Sequence, residues 1–241
     1  MFWTRKTPAS DLPRFAGGGR ERVLDIVRHP RARQMKLAVD PRDGAVRLTL
    51  PQRGALRPAL AWAESKRGWI EAQLAAIPQR PGIAPGMAFS VGGQALVLAW
   101  RPEWPRAPRI HGGTVQIGGP AETVAPRLLR WLKREALALL AAETREFASR
   151  AGLAVTTIGV GDPRSRWGSC ASSGAIRYSW RLILAPGFVR RATVAHEVAH
   201  LRHMDHGPAF HAFVAELLAA DPKPARAWLR AHGAELQAFG R

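Results

Sequence analysis

The sequence predicts an α+β fold. Three observations carry the prediction: short β-branched runs between turn residues, a long amphipathic stretch after Pro126, and an apolar helix-periodic run around His196 that follows further short strands. The expected organisation is a flexible tail over residues 1–20, a β-rich region with one helix over 21–120, and a second region over 121–241. In that second region a small antiparallel sheet leads into helices.

Up to about Gly19 the chain mixes proline, glycine and charge without periodicity, and it reads as a loose tail ending in Gly17-Gly18-Gly19. Val23 to Val27, Met35 to Val39 and Val46 to Leu50 read as strands, the last two joined by a hairpin turn at Asp40-Pro41-Arg42-Asp43-Gly44. From about Arg57 to Ala76, Leu60, Trp62, Trp69, Ile70 and Leu74 build one apolar helix face, and Pro78 and Pro81 close the helix. Met87 to Val91 and Ala95 to Trp100 flank Gly92-Gly93 as a hairpin. Val115-Gln116-Ile117 is a short strand beyond the irregular link of Pro102, Pro105 and Pro108.

The long helix runs from Pro126 to about Arg150. Leu128, Trp131, Leu132, Leu139, Leu140 and Phe147 form its buried stripe, and Gly152 stops it. Val155 to Val160, Arg166 to Cys170 and Ala175 to Leu184 read as strands, the last two joined by Ser172-Ser173-Gly174. Pro186-Gly187 leads into the helix around His196. Pro208 opens a second helix to about Ala219, and Pro222-Lys223-Pro224 a third through Trp228 to His232.

At 241 residues the chain can bury a sizeable core. Cys170 is the single cysteine, which excludes an intramolecular disulfide and a cysteine-rich zinc finger. The start lacks an apolar segment of signal-peptide length, and no apolar run approaches the roughly 20 residues that span a bilayer. The expectation is a soluble cytoplasmic protein. The net charge of +18 raises a nucleic-acid or other polyanionic partner. Only five residues are lysine (Lys6, Lys36, Lys66, Lys133 and Lys223), and an arginine excess beside abundant Ala, Gly and Pro also fits a composition bias. No helix-turn-helix, finger or aromatic-basic RNA signature accompanies it, and Arg28, Arg31 and Arg33 read as a solvated face.

The chemistry concentrates in His196-Glu197-Val198-Ala199-His200. Five of the eight histidines (His196, His200, His203, His206 and His211) fall in this one segment. Residues four apart on a helix share a face about one turn apart, so the imidazoles of His196 and His200 can grip one ion. Glu197 leaves the same turn at another angle, where a carboxylate can take a proton from water activated by the metal. Val194, Val198 and Leu201 can seat this helix in a core. A catalytic zinc takes three protein ligands and keeps one position open. His203 lies too far along a straight helix to join both partners. His206 precedes Gly207-Pro208, where a turn can swing its imidazole back; Glu216 on the next helix, or another histidine such as His211, is the alternative. The spacing from His200 to His206 matches the metzincin signature, but His203 occupies its glycine position and no Met-turn is evident. Trp167 and Trp180 read as core, and Cys170 as a small buried residue rather than a nucleophile.

Arg166-Trp167-Gly168-Ser169-Cys170, the run Ile176 to Pro186, His196 to Leu201 and Ala227-Trp228-Leu229-Arg230 together resemble the YgjP-like zinc metallopeptidases, relatives of the SprT-like and WLM proteases. The likeness extends over about residues 22–234. It implies a zincin-like minimal metalloprotease core over 121–241, with a peptide or protein substrate. It also implies zinc on His196, His200 and His206 and Glu197 as the catalytic base. The turn Asp205-His206-Gly207 departs from the family's Asn-His-Ser. His206-Gly207-Pro208-Ala209-Phe210 is instead similar to the His-Gly-Pro-x-Phe of SprT-like proteases, whose histidine binds zinc. Position 211, often Trp in the family, is His211. Tyr178, Arg177 and His211 are candidate oxyanion donors, and a strand from 175–184 is a candidate edge for an extended peptide. Two alternatives remain at this point: a SprT-like protease acting on nucleic-acid-bound proteins, and a non-catalytic basic nucleic-acid-binding protein with a structural metal.

Overall fold

The computed structural model describes residues 12–40, 43–77, 82–163 and 165–240. The first eleven residues of the expected tail, Pro41 and Arg42 of the expected turn, and the helix-closing Pro78 and Pro81 lie outside the described residues. The chain divides into two compact units, Met1–Pro81 and Gly82–Arg241.

In the first unit, Arg14–Gly17 (β1) and Arg20–Val23 (β2) pair antiparallel. Gly18 and Gly19 both hold positive φ, 57° and 71°, as a two-residue hairpin turn requires. The glycines that suggested a loose tail therefore make a tight turn, and Phe15 beside it is fully buried. Asp25–His29 (β3), Lys36–Val39 (β4) and Val46–Pro51 (β5) form a sheet in the order β3-β5-β4, with β5 parallel to β3 and antiparallel to β4. Val46, Leu48 and Leu50 alternate inward along β5. The expected single helix is two, Leu56–Ser65 (α1) and Arg67–Ala75 (α2), because Lys66 leaves the helical region at φ −97°, ψ 10°. Ala59, Ala63, Ile70 and Leu74 complete this core.

The second unit begins with Ala88–Val91 (β6), Gln94–Trp100 (β7), Arg109–His111 (β8) and Thr114–Ile117 (β9), ordered β6-β7-β9-β8. Strand β8, with charged and exposed residues, carried no strand signal. Leu96, Leu98, Val115 and Ile117 are buried in one core with Leu128, Trp131, Leu132 and Phe147 of the helix Val124–Arg150 (α3). The compact unit thus starts near residue 82, where the sequence suggested 121, because a sheet with one apolar face must bury it on the next available helix.

Thr157–Gly161 (β10), Gly168–Cys170 (β11) and Ala175–Ser179 (β12) form a sheet ordered β10-β12-β11. It is mixed rather than antiparallel, since β10 runs parallel to β12. The strand expected to reach Leu184 ends at Ser179. Trp180–Leu184 is a 3-10 turn with all five residues buried, and an apolar run buried on every side shows no period to separate strand from helix. Gly187–Ala199 (α4), Pro208–Leu218 (α5) and Lys223–Ala238 (α6) follow. Among the described residues no helix is long and apolar enough to cross a membrane.

Helices α3 and α4 are joined by two ion pairs of opposite character. Arg190 donates from Nε and Nη2 to the Glu143 carboxylate at 2.9–3.1 Å, both side chains almost fully buried. Arg191 pairs with Glu146 at the surface. Glu143→Ala strands a guanidinium in the core and is expected to cost about 3–5 kcal/mol, against about 0.2–1 kcal/mol for Glu146→Ala. Urea unfolding of both variants checks this; equal losses would contradict it.

Candidate metal centre

Helix α4 enters the core through Val194, Ala195 and Val198, which are fully buried. This seating leaves His196 half-buried, Glu197 5% exposed and His200 8% exposed. The helix ends at Ala199, and the following amides fold back: Leu201 N–H donates to Val198 O, and His203 N–H to Ala199 O. The chain then reverses. The Asp205 carboxylate accepts the Gly207 N–H at 2.9 Å, and Pro208 occupies the first turn of α5.

The reversal returns His206 to the face of α4. One ligand atom from each of His196, His200 and His206 lies within 4.8 Å of the others. The Nε2 atoms of His196 and His206 are 3.3 Å apart, close to the separation of about 3.3 Å that two nitrogens of a tetrahedral zinc site span. His200 Nδ1 faces the His203 carbonyl at 3.0 Å, which holds the proton there and leaves Nε2 free to accept a metal. The fully buried Phe210 lies against all three rings, with centroids 4.5–4.9 Å away.

The electrostatics suit a cation. Burial, followed by the neighbouring imidazoles, lowers His196 to about 4. His200 is lowered for the same first reason, with the His203 carbonyl opposing. Neutral rings are the metal-binding form. Burial raises the Glu197 carboxyl to about 7, against the pull of the Arg166 guanidinium. Glu197 lies so close to β11 that a Cβ on Gly168 would sit 2.4 Å from its Oε1.

Other expected residues fall elsewhere. Glu216 is exposed on α5 outside the histidine group, and His203 contributes its carbonyl and stacks edge-on to Phe213. His211 is exposed, its ring 6.4 Å from that of His206, and lines a cavity shared with His196 and Glu197. Arg177 lines a different cavity with Ser169 and Cys170. Burial, then the Glu197 carboxylate, raises the Cys170 thiol, opposite to what a nucleophile needs. Trp180 is core; Trp167 is half-buried and reaches the cavity wall. The edge expected from 175–184 is not free, because β12 is the central strand; β11, beside Glu197, is an edge.

Tyr178 is also removed from the chemistry. It is fully buried, and its hydroxyl lies 2.9 Å from Thr144 Oγ1, whose own proton goes to the Leu140 carbonyl at 2.6 Å. The phenol therefore donates to Thr144, and burial holds its pKa far above the ordinary value. Tyr178→Phe is expected to cost about 1 kcal/mol in urea unfolding with metal content unchanged. A loss of bound metal would return Tyr178 to the site.

Residues that spacing alone did not expose are the Phe210 platform, the His203 carbonyl and the close approach of Gly168. Phe210 and Gly168 each sit inside a motif already noted, whereas a main-chain carbonyl has no residue-type signal.

An α+β chain that gathers three imidazoles able to hold a metal beside a buried carboxylate has the equipment of a metal-dependent hydrolase. A family model described as YgjP-like, metallopeptidase domain, matches residues 33–232, a stretch that spans both compact units. The chain belongs to the YgjP-like metallopeptidase family. No curated protein and no solved structure matches it significantly.

Proposed function

We propose that the chain is a zinc-dependent metallopeptidase with a zincin-like core, in which His196, His200 and His206 hold the ion and Glu197 is the general base. The observation that carries this is the convergence of three imidazoles from α4 and the following turn on one point beside a buried carboxylate. Zinc held there supplies Lewis-acid chemistry, acidifying water and polarising a carbonyl.

The chain's own groups do the rest. Glu197 takes the proton of the attacking water at its carboxylate, for which an affinity raised towards neutrality is suited, and returns it to the leaving amine. Phe210 and the His203 carbonyl orient the imidazoles. His211, at the edge of the same cavity, is the remaining side-chain candidate to donate to the developing oxyanion.

Elemental analysis of tag-free protein with a cleavage assay on an unfolded protein substrate tests the proposal. About one zinc per chain and chelator-sensitive cleavage are expected; no metal after zinc is supplied refutes it. Gly168→Ala tests the placement of Glu197. A methyl where the carboxylate lies displaces it, and a misplacement near 1 Å costs roughly 100-fold. We expect kcat to fall by about that factor with zinc content unchanged; an unaltered kcat would show that β11 does not position Glu197.

Several arginines behind the +18 charge serve the chain itself: Arg28 donates to the carbonyls of Pro51, Gln52 and Gly54, Arg127 to those of Arg106, Pro120 and Thr123, and Arg190 to Glu143.

A further inference from the structure

A cavity of about 270 Å³ adjoins His196 and Glu197. Much of its wall is apolar: Ala192 from α4, Val214 from α5, and Ala225 and Leu229 from α6. Two guanidiniums, Arg166 ahead of β11 and Arg226 on α6, belong to the same lining and are exposed. Among the described residues neither side chain is held by a hydrogen bond or an ion pair. That sets them apart from Arg28, Arg67, Arg127 and Arg190, each of which donates to an acceptor of the chain.

The volume is below the roughly 300–1,000 Å³ of pockets that enclose a whole small ligand, and above the ~150 Å³ cavity that takes up benzene. It suits one side chain of leucine to phenylalanine size. An unpartnered guanidinium is built for a planar carboxylate, which it binds with charge-assisted bonds.

We propose that this cavity is the specificity pocket of the site: it takes one apolar side chain of a peptide, and Arg166 and Arg226 bind a carboxylate next to that side chain. The inference rests on the peptidase reading. The carboxylate can come from a neighbouring Asp or Glu or from the free chain end.

The test uses the full-length Glu197→Gln chain loaded with zinc, and short labelled alanine-based peptides read by fluorescence anisotropy. One pair carries Leu-Asp or Leu-Asn internally. A second ends in Leu with a free carboxylate or an amide, and a third peptide has Gly-Asp. The carboxylate member of at least one pair is expected to bind about tenfold more tightly than its neutral partner. Arg166→Gln and Arg226→Gln each shrink that ratio, and together they abolish it. Arg230→Gln, exposed on α6 outside the cavity, removes the same charge and keeps the ratio. Replacing Leu by Gly weakens binding throughout. The pair that shows the arginine-dependent ratio identifies the source of the carboxylate.

Equal binding within both pairs overturns the proposal. So does a ratio that survives in the double arginine variant or falls equally in Arg230→Gln, and so does Gly binding as well as Leu. Wild-type cleavage is measured in parallel. Cleavage without this preference removes the pocket and leaves the peptidase. Absence of cleavage by the zinc-loaded chain removes the peptidase, while the binding ratios still decide on the pocket.

Discussion

Glu197→Gln is expected to retain about one zinc per chain and to lose roughly 10²–10⁴-fold in kcat/KM. Glutamine has the shape of glutamate and cannot accept a proton. The carboxylate has no hydrogen-bond partner among the described residues, so the substitution breaks no bond of the fold. It also removes no ligand, because the grouped donor atoms belong to the histidines. Elemental analysis and steady-state kinetics on the same preparation read both halves. Activity within a few-fold of wild type, with zinc in place, would exclude Glu197 as the base. Loss of zinc would make Glu197 a ligand and dismantle the proposed division of roles. The comparison also separates catalysis from a structural metal, since a structural site leaves no peptidase activity to lose.

The parts of this centre that local sequence rules describe are those set by local geometry. His196 and His200 share a helix face through their spacing alone, and the turn that returns His206 is marked by Asp205, Gly207 and Pro208, each with a recognised backbone role. The long helix α3 was equally legible, since its apolar stripe is continuous over many turns. Elements without a period were not. Trp180 to Leu184 is buried on every side, so nothing alternates. Gly17 to Gly19 looked permissive because glycine signals freedom, whereas two successive left-handed residues are what a tight hairpin needs. The close approaches were hidden for a third reason. Gly168 meets Glu197 and Arg166 meets the cavity wall only because β11 is carried back to α4, a long-range event that no spacing encodes.

His206→Ala is expected to weaken zinc binding by more than about 100-fold, since loss of even an outer-shell partner costs 10–100-fold. Of the three imidazoles His206 is the exposed one, and it comes from the turn rather than from α4. Its removal therefore costs the fold little: the turn is held by the Asp205 carboxylate on the Gly207 amide, and α5 begins at Pro208 without it. His196 and His200 remain as a two-nitrogen site that zinc leaves readily in the presence of a competing chelator. Elemental analysis after chelator exchange reads the difference, and unchanged thermal unfolding of the metal-free protein shows that the fold is intact. His211→Ala is the matched control, because its ring stands 6.4 Å from that of His206 and outside the ligand group; it is expected to keep its zinc. Full retention by His206→Ala with loss by His211→Ala would move the third ligand onto α5. The turn would then owe its shape to the chain reversal alone, and the 3.3 Å approach of His206 to His196 would be without a function.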